Sequence, residues 1–393
     1  MPVAIVSVTN DLTTDQRVDR TCQALVKSGY EVLLIGRRLR NSKTLTPRSY
    51  RTHRMQLLFD KGPLFYAEYN VRLFLLLLVH KYDLIVSNDL DTLPANYLAE
   101  GIKYPFTKVQ NADSKLQNAK VRHLHDCHEY FRGVPELVGR KSVAGTWKLI
   151  EDLIFPKLDC VVAVNKSVAD LYAAEYGNRI EVVRNVPFRK PQSEAAGKSS
   201  LSIREDQKII LYQGAVNIDR GIEEAILSMK YLKTDAILVI AGTGDIFKAL
   251  KTMTWDHDLS GKVRFLGEIP FRELHSYTLM ADLGLSIEKD VSINYHYCLP
   301  NKFLDYIQAN IPVLVSPFPE MKAIVDQYQI GEFIGSHDPE ILAAKIDSML
   351  MNGKQMATYR QNLISAAADL CWENEEKTLL LTIGITHDSY NLF

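Results

Sequence analysis

Cysteine is scarce and scattered. The 393-residue chain has five (Cys22, Cys127, Cys160, Cys298 and Cys371), none in a C-x-x-C pair. That favours buried thiols in a reducing compartment over a disulfide framework or a zinc site. Long apolar runs are missing as well. The longest, Leu73–Val79, falls far short of the ~20 residues that span a bilayer. From Met1-Pro2-Val3-Ala4-Ile5-Val6 to Asp11 there is no basic n-region and no small-residue cleavage site, so no signal peptide is expected. The expected location is cytoplasmic, or peripheral on the inner face of the cytoplasmic membrane. Excess charge of one sign is absent too. With 46 Lys+Arg against 47 Asp+Glu, a dedicated nucleic-acid binder is not expected, and no aromatic-interleaved basic module is present.

What is present is a foldable composition, 47% apolar and 24% charged. Disordered, collagen-like and miniprotein classes are thereby excluded, and the length suits two domains. The near-neutral total conceals a split. Residues 1–190 hold 28 Lys+Arg and 20 Asp+Glu, and the remainder 18 and 27, so a basic half precedes an acidic one. The basic half is the candidate for an anionic partner.

Short apolar runs alternate with amphipathic stretches. Strands are expected at Val3–Val8, Glu31–Gly36, Leu84–Ser87, Val121–His125, Cys160–Val164 and Ile180–Arg184. The first two flank a helix over Arg17–Ser28 that Gly29 ends. After a stretch rich in Pro, Gly, Ser, Lys and Arg (Pro187–Ser202) the rhythm restarts at Ile209–Gln213, Ile237–Ala241, Val263–Leu266, Leu283–Ile287 and Val313–Ser316. The fold class is α/β, with two tandem Rossmann-like doubly wound domains facing across a cleft. The expected boundaries are 1–190, a linker at 191–206, a second domain at 207–370, and a helical segment at 371–393 that packs back on the first. A single long helix is expected over roughly Gln361–Ile383.

Chemistry concentrates at expected strand ends. In Leu299-Pro300-Asn301-Lys302-Phe303-Leu304-Asp305-Tyr306, Asn301 is an N-cap candidate and the helix start offers free N–H groups to a phosphate. Lys302 adds a charge there, and Asp305 suits the vicinal hydroxyls of a ribose. An ordinary capped helix is the other reading. Gln213-Gly214-Ala215…Arg220-Gly221 opens another helix, with Arg220 able to grip a diphosphate bidentately. Ala241-Gly242-Thr243-Gly244-Asp245 and Leu266-Gly267-Glu268-Ile269-Pro270 supply two more strand-end loops. Asp126-Cys127-His128-Glu129 also follows an expected strand and suits polarising a hydroxyl or binding a sugar. The alternative there is a loop that caps a helix. Asn88-Asp89-Leu90-Asp91 reads either as acceptor-side lining or as an Asx turn.

Taken in order, Tyr212-Gln213-Gly214…Arg220-Gly221, Ile240-Ala241-Gly242-Thr243-Gly244, Arg264-Phe265-Leu266-Gly267, Ala281-Asp282-Leu283-Gly284-Leu285, Leu299-Pro300-Asn301-Lys302-Phe303…Asp305-Tyr306 and Ile311-Pro312-Val313 resemble the donor domain of glycosyltransferase family 4, of GT-B fold. The first half is similar to acceptor domains of that group through Asp15-Gln16-Arg17-Val18, Ser87-Asn88-Asp89-Leu90-Asp91-Thr92, Asp126-Cys127-His128-Glu129-Tyr130-Phe131, Val134-Pro135-Glu136-Leu137 and Val183-Arg184-Asn185-Val186-Pro187. The resemblance implies transfer of a sugar from a nucleotide-diphosphate donor to a glycan or lipid-linked hydroxyl acceptor, with retention and with neither metal nor cofactor. It implies donor contacts from Gly214, Arg220, Gly242, Gly244, Gly267, Ile269, Tyr297, Asn301, Lys302 and Asp305. Catalytic roles fall to His128, Asp126, Glu129, Arg220 and Lys302, and the acceptor side to Asn10, Arg17, Asn88 and Asp89. Where the family carries two glutamates separated by seven residues, this chain has Tyr297 and Asp305, so no acid stands at the first position. A sugar-nucleotide epimerase or hydrolase and a non-catalytic nucleotide-sugar-binding subunit are the rival readings.

One further segment stands out. Residues 37–54 hold seven Lys and Arg and no acid, and the apolar stretch Phe65–Val79 follows. An anionic membrane surface is one partner that this pattern fits, and a solvated basic loop beside a buried core helix is the other reading.

Overall fold

The computed structural model describes residues 1–13, 15–104, 121–134, 140–190 and 195–385. The chain divides into two compact units, one of Met1–Asn185 with the residues from Glu375 onward and one of Val186–Asn374. In the first, β1 (Val3–Asp11), β2 (Glu31–Arg38), β3 (Arg51–Gln56), β4 (Leu84–Asn88), β5 (Arg122–Cys127), β6 (Cys160–Ala163) and β7 (Ile180–Val182) lie in the order β3-β2-β1-β4-β5-β6-β7. In the second, β8 (Lys208–Gln213), β9 (Ala236–Ala241), β10 (Val263–Gly267), β11 (Leu283–Ser286), β12 (Val313–Val315) and β13 (Gly331–Phe333) lie in the order β10-β9-β8-β11-β12-β13. Every strand pair is parallel. Winding reverses between β1 and β4 and between β8 and β11, so each sheet has one switch point, where the carboxyl ends of such strands hold ligands. Both units are Rossmann-like.

The strands form where the chain is apolar on both faces. Lys-Ile-Ile-Leu-Tyr-Gln of β8 and Ala-Ile-Leu-Val-Ile-Ala of β9 are buried almost throughout, as a parallel sheet covered by helices on both sides requires. Alternation divides them between two cores. Ile210 and Tyr212 pack with Ile222, Ile226 and Ile346 on one face, and Ile209 and Leu211 pack with Phe303, Leu304 and Leu363 on the other. In the first unit, helix Gln16–Lys27 buries Val18, Cys22 and Leu25 on one face. Its N-cap Asp15 accepts the Val18 N–H at 3.1 Å, and Gly29 just beyond has φ +85°.

Several boundaries differ from expectation. β3 begins inside the basic stretch and buries only Met55, as a charged edge strand does. β13 is three residues long, too short for periodicity to reveal. Of the expected linker, residues 191–194 lie outside the described residues. The rest joins the second unit, where Ala196 N–H donates to the Ser276 carbonyl at 2.9 Å and Ile203 is 3% exposed in the core. The long C-terminal helix is two, Gly353–Asp369 and Trp372–Thr382. The chain re-enters the first unit at Glu375 rather than at 371. Trp372 stays with the second unit through its N–H bond to Pro187 and its contact with Phe188, whereas Glu375 accepts the Arg184 N–H at 2.8 Å. Residues 386–393 lie outside the described residues.

The stretch Leu73–Val79 is no all-round core helix. Helix Pro63–Val79 buries Phe65, Tyr69, Leu73 and Leu77 but exposes Leu64, Val71, Leu75 and Val79. No helix among the described residues is long and apolar enough to cross a membrane. All five cysteines are free thiols.

Candidate functional site

In the second unit Gly214, Gly242, Gly244 and Gly267 stand at the carboxyl ends of β8, β9 and β10, and Arg220 and Lys302 lie near Glu288 just beyond β11. Main-chain bonds join the strand-end loops: Gly214 N–H to the Ala241 carbonyl at 2.9 Å, and Gly242 N–H to the Gly267 carbonyl at 2.8 Å. Gly242 has φ +142°, and a Cβ on it would stand 1.9 Å from the Gly214 carbonyl oxygen. No other residue type fits there. Gly244 lies against Asn217 in the same cluster of loops. Lys289 N–H donates to the Asp219 carbonyl at 2.9 Å, which ties the Arg220 loop to the segment after β11.

This tie creates the central group of charges. Lys302, in the first turn of helix Asn301–Gln308, places Nζ 2.6 Å from Oε1 of Glu288, two residues beyond β11. Their side chains are 7% and 0% exposed. Arg220 Nη1 lies 3.9 Å from the same oxygen, and its guanidinium sits over the Tyr295 ring at 4.7 Å. The Lys302 ammonium also lies 4.0 Å from the centre of the Tyr212 ring. Burial pushes the Lys302 pKa down, but the Glu288 carboxylate beside it outweighs burial and raises it. Burial likewise pushes Glu288 up, and Lys302 with Ser286 Oγ (2.9 Å) holds it low. Both groups are therefore ionised. Arg220 and Lys302 were expected as two local cations. The structure supplies a third member with them, because an ammonium out of water needs a counter-charge.

Asp305, one turn into the same helix, accepts from Gln213 Nε2 at 3.0 Å, and Gln213 Oε1 accepts from Thr278 Oγ1 at 2.8 Å. Asn301 is not the N-cap. Pro300 holds that place in extended conformation (ψ 140°) and makes no side-chain cap hydrogen bond, and Asn301 is the first helical residue. Tyr297 follows the short helix Ile293–His296 and stands edge-on to the His296 ring at 4.8 Å. Ile269, after β10, packs on the core.

In the first unit the expected residues converge on the ends of β1, β4 and β5. Arg17 is 4% exposed, not an open acceptor-side group. It grips Asp126, 1% exposed, through Nε (3.0 Å) and Nη2 (2.6 Å), and donates Nη1 to the Val183 carbonyl. The Arg17 charge pulls the Asp126 pKa well below the usual carboxylate range against the effect of burial. Asp126 is thus held ionised in a buried two-point pair with Arg17. His128 donates its main-chain N–H to Asp89 Oδ1 (2.8 Å). Its ring nitrogens face Asn88 Oδ1 (3.0 Å), Asp89 Oδ2 (3.5 Å) and Asp126 Oδ2 (3.5 Å). Burial would lower its pKa, but Asp89 and Asp126 raise it to about 9. The imidazole is a cation that donates, not a base. Asp89 itself has φ +58°. Asn88 is fully buried and donates to the Ser7 carbonyl at 2.9 Å. Asn10 and Glu129 are exposed. Of Val134-Pro135-Glu136-Leu137, residues 135–137 lie outside the described residues.

The basic stretch 37–54 finds acids within its own unit. Arg54 pairs with Asp11 (2.9 Å), Arg48 with Asp19 (3.8 Å) and Arg51 with Glu31 (3.3 Å), and Arg37 lies over the Phe65 ring. Among the described residues no group of three or more His, Cys, Asp or Glu side chains is placed to hold a metal ion. Sequence reasoning missed Glu288 altogether. Its only signal was a lone acid directly after the apolar run Leu283–Ile287.

Comparison with known proteins follows the same division. Residues 15–186 match the family model described as Glycosyltransferase Family 4, and residues 194–370 the model described as Glycosyl transferases group 1. An uncharacterized glycosyltransferase of Methanocaldococcus jannaschii is 27% identical over 157 residues. That match covers 39% of this chain and 38% of the relative, well under half of either. Among solved structures, sucrose-phosphate synthase of Thermosynechococcus elongatus superposes with a TM-score of 0.75 at 17% identity, covering 96% of this chain and 97% of that one. Anabaena HepE in complex with UDP gives 0.72 at 12% identity, covering 98% and 100%. At these identities the likeness shows the two-domain fold.

Proposed function

The chain belongs to the family 4, group 1 glycosyltransferases, and on that premise we propose that it transfers a sugar from a nucleotide-diphosphate donor to a hydroxyl of a glycan or lipid-linked acceptor. Retention of the anomeric configuration and independence of metal belong to the same proposal. The observation that carries it is the Lys302–Glu288–Arg220 group at the carboxyl ends of β8 and β11. One carboxylate among two cations leaves a positive charge in excess, next to a helix start whose N-cap residue, Pro300, makes no side-chain cap hydrogen bond. A departing diphosphate gains negative charge in the transition state, and donors fixed in advance at that point lower the barrier. The UDP held by Anabaena HepE supports a nucleoside diphosphate as the leaving group.

Asp305, oriented by Gln213, takes the ribose hydroxyls, and the Gly214, Gly242 and Gly267 loops let the backbone approach the donor. His128, held in the first unit by Asn88, Asp89 and Asp126, is a positive charge at the strand ends there. As a cation it takes no proton, so the acceptor's proton goes to the departing phosphate, the base that the reaction itself creates. The lipid-linked reading gains support from the exposed apolar residues Leu64, Val71, Leu75 and Val79 of helix Pro63–Val79, flanked in sequence by Lys61 and Lys81, with Arg72 inside the helix paired to Glu68 at 2.6 Å. This face suits the inner leaflet of the cytoplasmic membrane better than the 37–54 stretch, in which Arg48, Arg51 and Arg54 are already paired with acids.

The test is a thermal-shift panel of UDP, GDP, TDP and ADP with their sugars, followed by product analysis with and without acceptor. One nucleotide should raise the melting temperature with concentration. Failure of all of them sinks the donor site. Equal donor turnover without acceptor supports a hydrolase or epimerase instead.

A further inference from the structure

The strand-start edge of the second sheet carries a cavity of about 450 Å³. Lys208 opens β8, Asp282 stands directly before β11 and Asn310 precedes β12; these form one side. Helix Gly353–Asp369 forms the other through Met356, Arg360 and Ile364. None of the donor residues lines it. Lys208 at this edge and Gln213 are the first and last of the six residues of β8, roughly 17 Å apart at the rise of an extended strand.

The lining is polar at one end and aliphatic at the other. Asp282 Oδ1 accepts from Lys208 Nζ at 3.1 Å and lies 3.6 Å from Arg360 Nη2, while Oδ2 accepts the Ile209 N–H at 3.0 Å. One carboxylate thus serves two cations, each nearly half exposed (45% and 46%), and the lining keeps one positive charge in excess. Beside them Ile364 leaves 56% of its surface in water. Leu350 and Met356, both buried, complete the aliphatic wall.

We infer that this cavity is a binding site, separate from the donor pocket, for a small amphipathic anion: a carboxylate- or phosphate-headed molecule with an aliphatic body. Its volume falls in the range of small-molecule pockets, which are mostly apolar with a few polar groups that fix orientation. The anionic head meets Lys208 and Arg360, both with donors to spare beyond Asp282. The aliphatic body covers Ile364 and removes its exposed surface from water. The inference stands apart from the transferase reading, since it invokes neither nucleotide nor sugar.

Octanoate is the probe, titrated calorimetrically into the full chain, with 1-octanol as the uncharged control and UDP in a parallel titration. One saturable site for octanoate is expected, with octanol bound more weakly. Arg360→Glu should weaken octanoate by about tenfold, as reversal of one half-exposed charge at contact distance does, and should leave UDP binding as in the wild type. Ile364→Asn should weaken octanoate and octanol together. No saturable octanoate binding overturns the inference, and so does unchanged affinity in Arg360→Glu. Equal binding of octanol, or competition between octanoate and UDP, overturns it as well.

Discussion

The Lys302 ammonium and the Glu288 carboxylate meet at 2.6 Å, with only 7% and 0% of their side chains in water. Neither is tolerable alone at that depth, because a buried charge without its partner forfeits hydration and gains nothing in return.

Lys302→Met should therefore destabilise the second unit by about 3–5 kcal/mol, the cost of an orphaned buried charge, and abolish transfer. The double variant Lys302→Met/Glu288→Gln removes both charges and should recover most of that stability in urea unfolding while transfer stays lost. Recovery of activity along with stability would show that the pair is structural only.

Arg220→Ala separates chemistry from folding in the opposite way. Its side chain is 27% exposed and 3.9 Å from Glu288, so stability should change little. Loss of one group that stabilises developing charge costs roughly 10²–10³ in turnover. Arg220→Lys should not rescue it, since a single ammonium lacks the planar fork of N–H donors with which a guanidinium grips a diphosphate. Wild-type kcat/KM in Arg220→Ala would remove the diphosphate role.

Gly242→Ala tests the loop geometry. The added Cβ meets the Gly214 carbonyl oxygen at 1.9 Å, in a conformation with φ +142°. Both strand-end loops must shift, at a cost of about 1–3 kcal/mol or more. Nucleotide affinity in the thermal-shift assay should fall further than the melting temperature of the free protein. An alanine variant with unaltered nucleotide binding would mean that the loops do not touch the donor.

His128 makes stability depend on pH with a definite sign. Its folded pKa, about 9 against an ordinary 6.5, is raised by Asp89 and Asp126 in opposition to burial. The stabilisation is complete below about pH 6.5 and is lost as pH rises through 9. Asp91, raised to about 7 chiefly by burial, lowers stability over the range from its unfolded value to 7. Above pH 8 the thiols of Cys22, Cys127, Cys160 and Cys298, which burial pushes up, lower it too, so the difference between wild type and His128→Gln isolates the histidine. Urea unfolding should show stability falling from pH 8 to 10 in the wild type and a flatter course in His128→Gln. Parallel curves would rule out the carboxylate cage as the cause.

Leu75→Asp combined with Val79→Asp should release the protein from anionic vesicles in co-sedimentation at low salt, with transfer to a water-soluble acceptor retained. Both residues are more than half exposed, so folding is not at stake. Retained sedimentation would return the 37–54 stretch to consideration.

Much of the architecture was legible because parallel strands buried on both faces leave unbroken apolar runs, and β8, β9 and β11 all do. β3 was illegible because an edge strand pays little in burial and carries Arg51, His53 and Arg54 without penalty. In the donor site, Lys302, Arg220 and the glycines could be read from local patterns at strand ends. Glu288 could not, since its role comes from two residues far off in sequence.

The chain's own order of apolar runs, turns and glycines determined two doubly wound units and the loops that carry their chemistry, because hydrophobic period and backbone conformation are local properties. Net charge by halves was equally readable. Which charges act was decided only by tertiary packing. It buries Arg17 on Asp126, cages His128 as a cation and sets Glu288 between Lys302 and Arg220. The energy of an ionised group depends on its distance from its neighbours and on how much water remains around it, and neither quantity is written in sequence spacing.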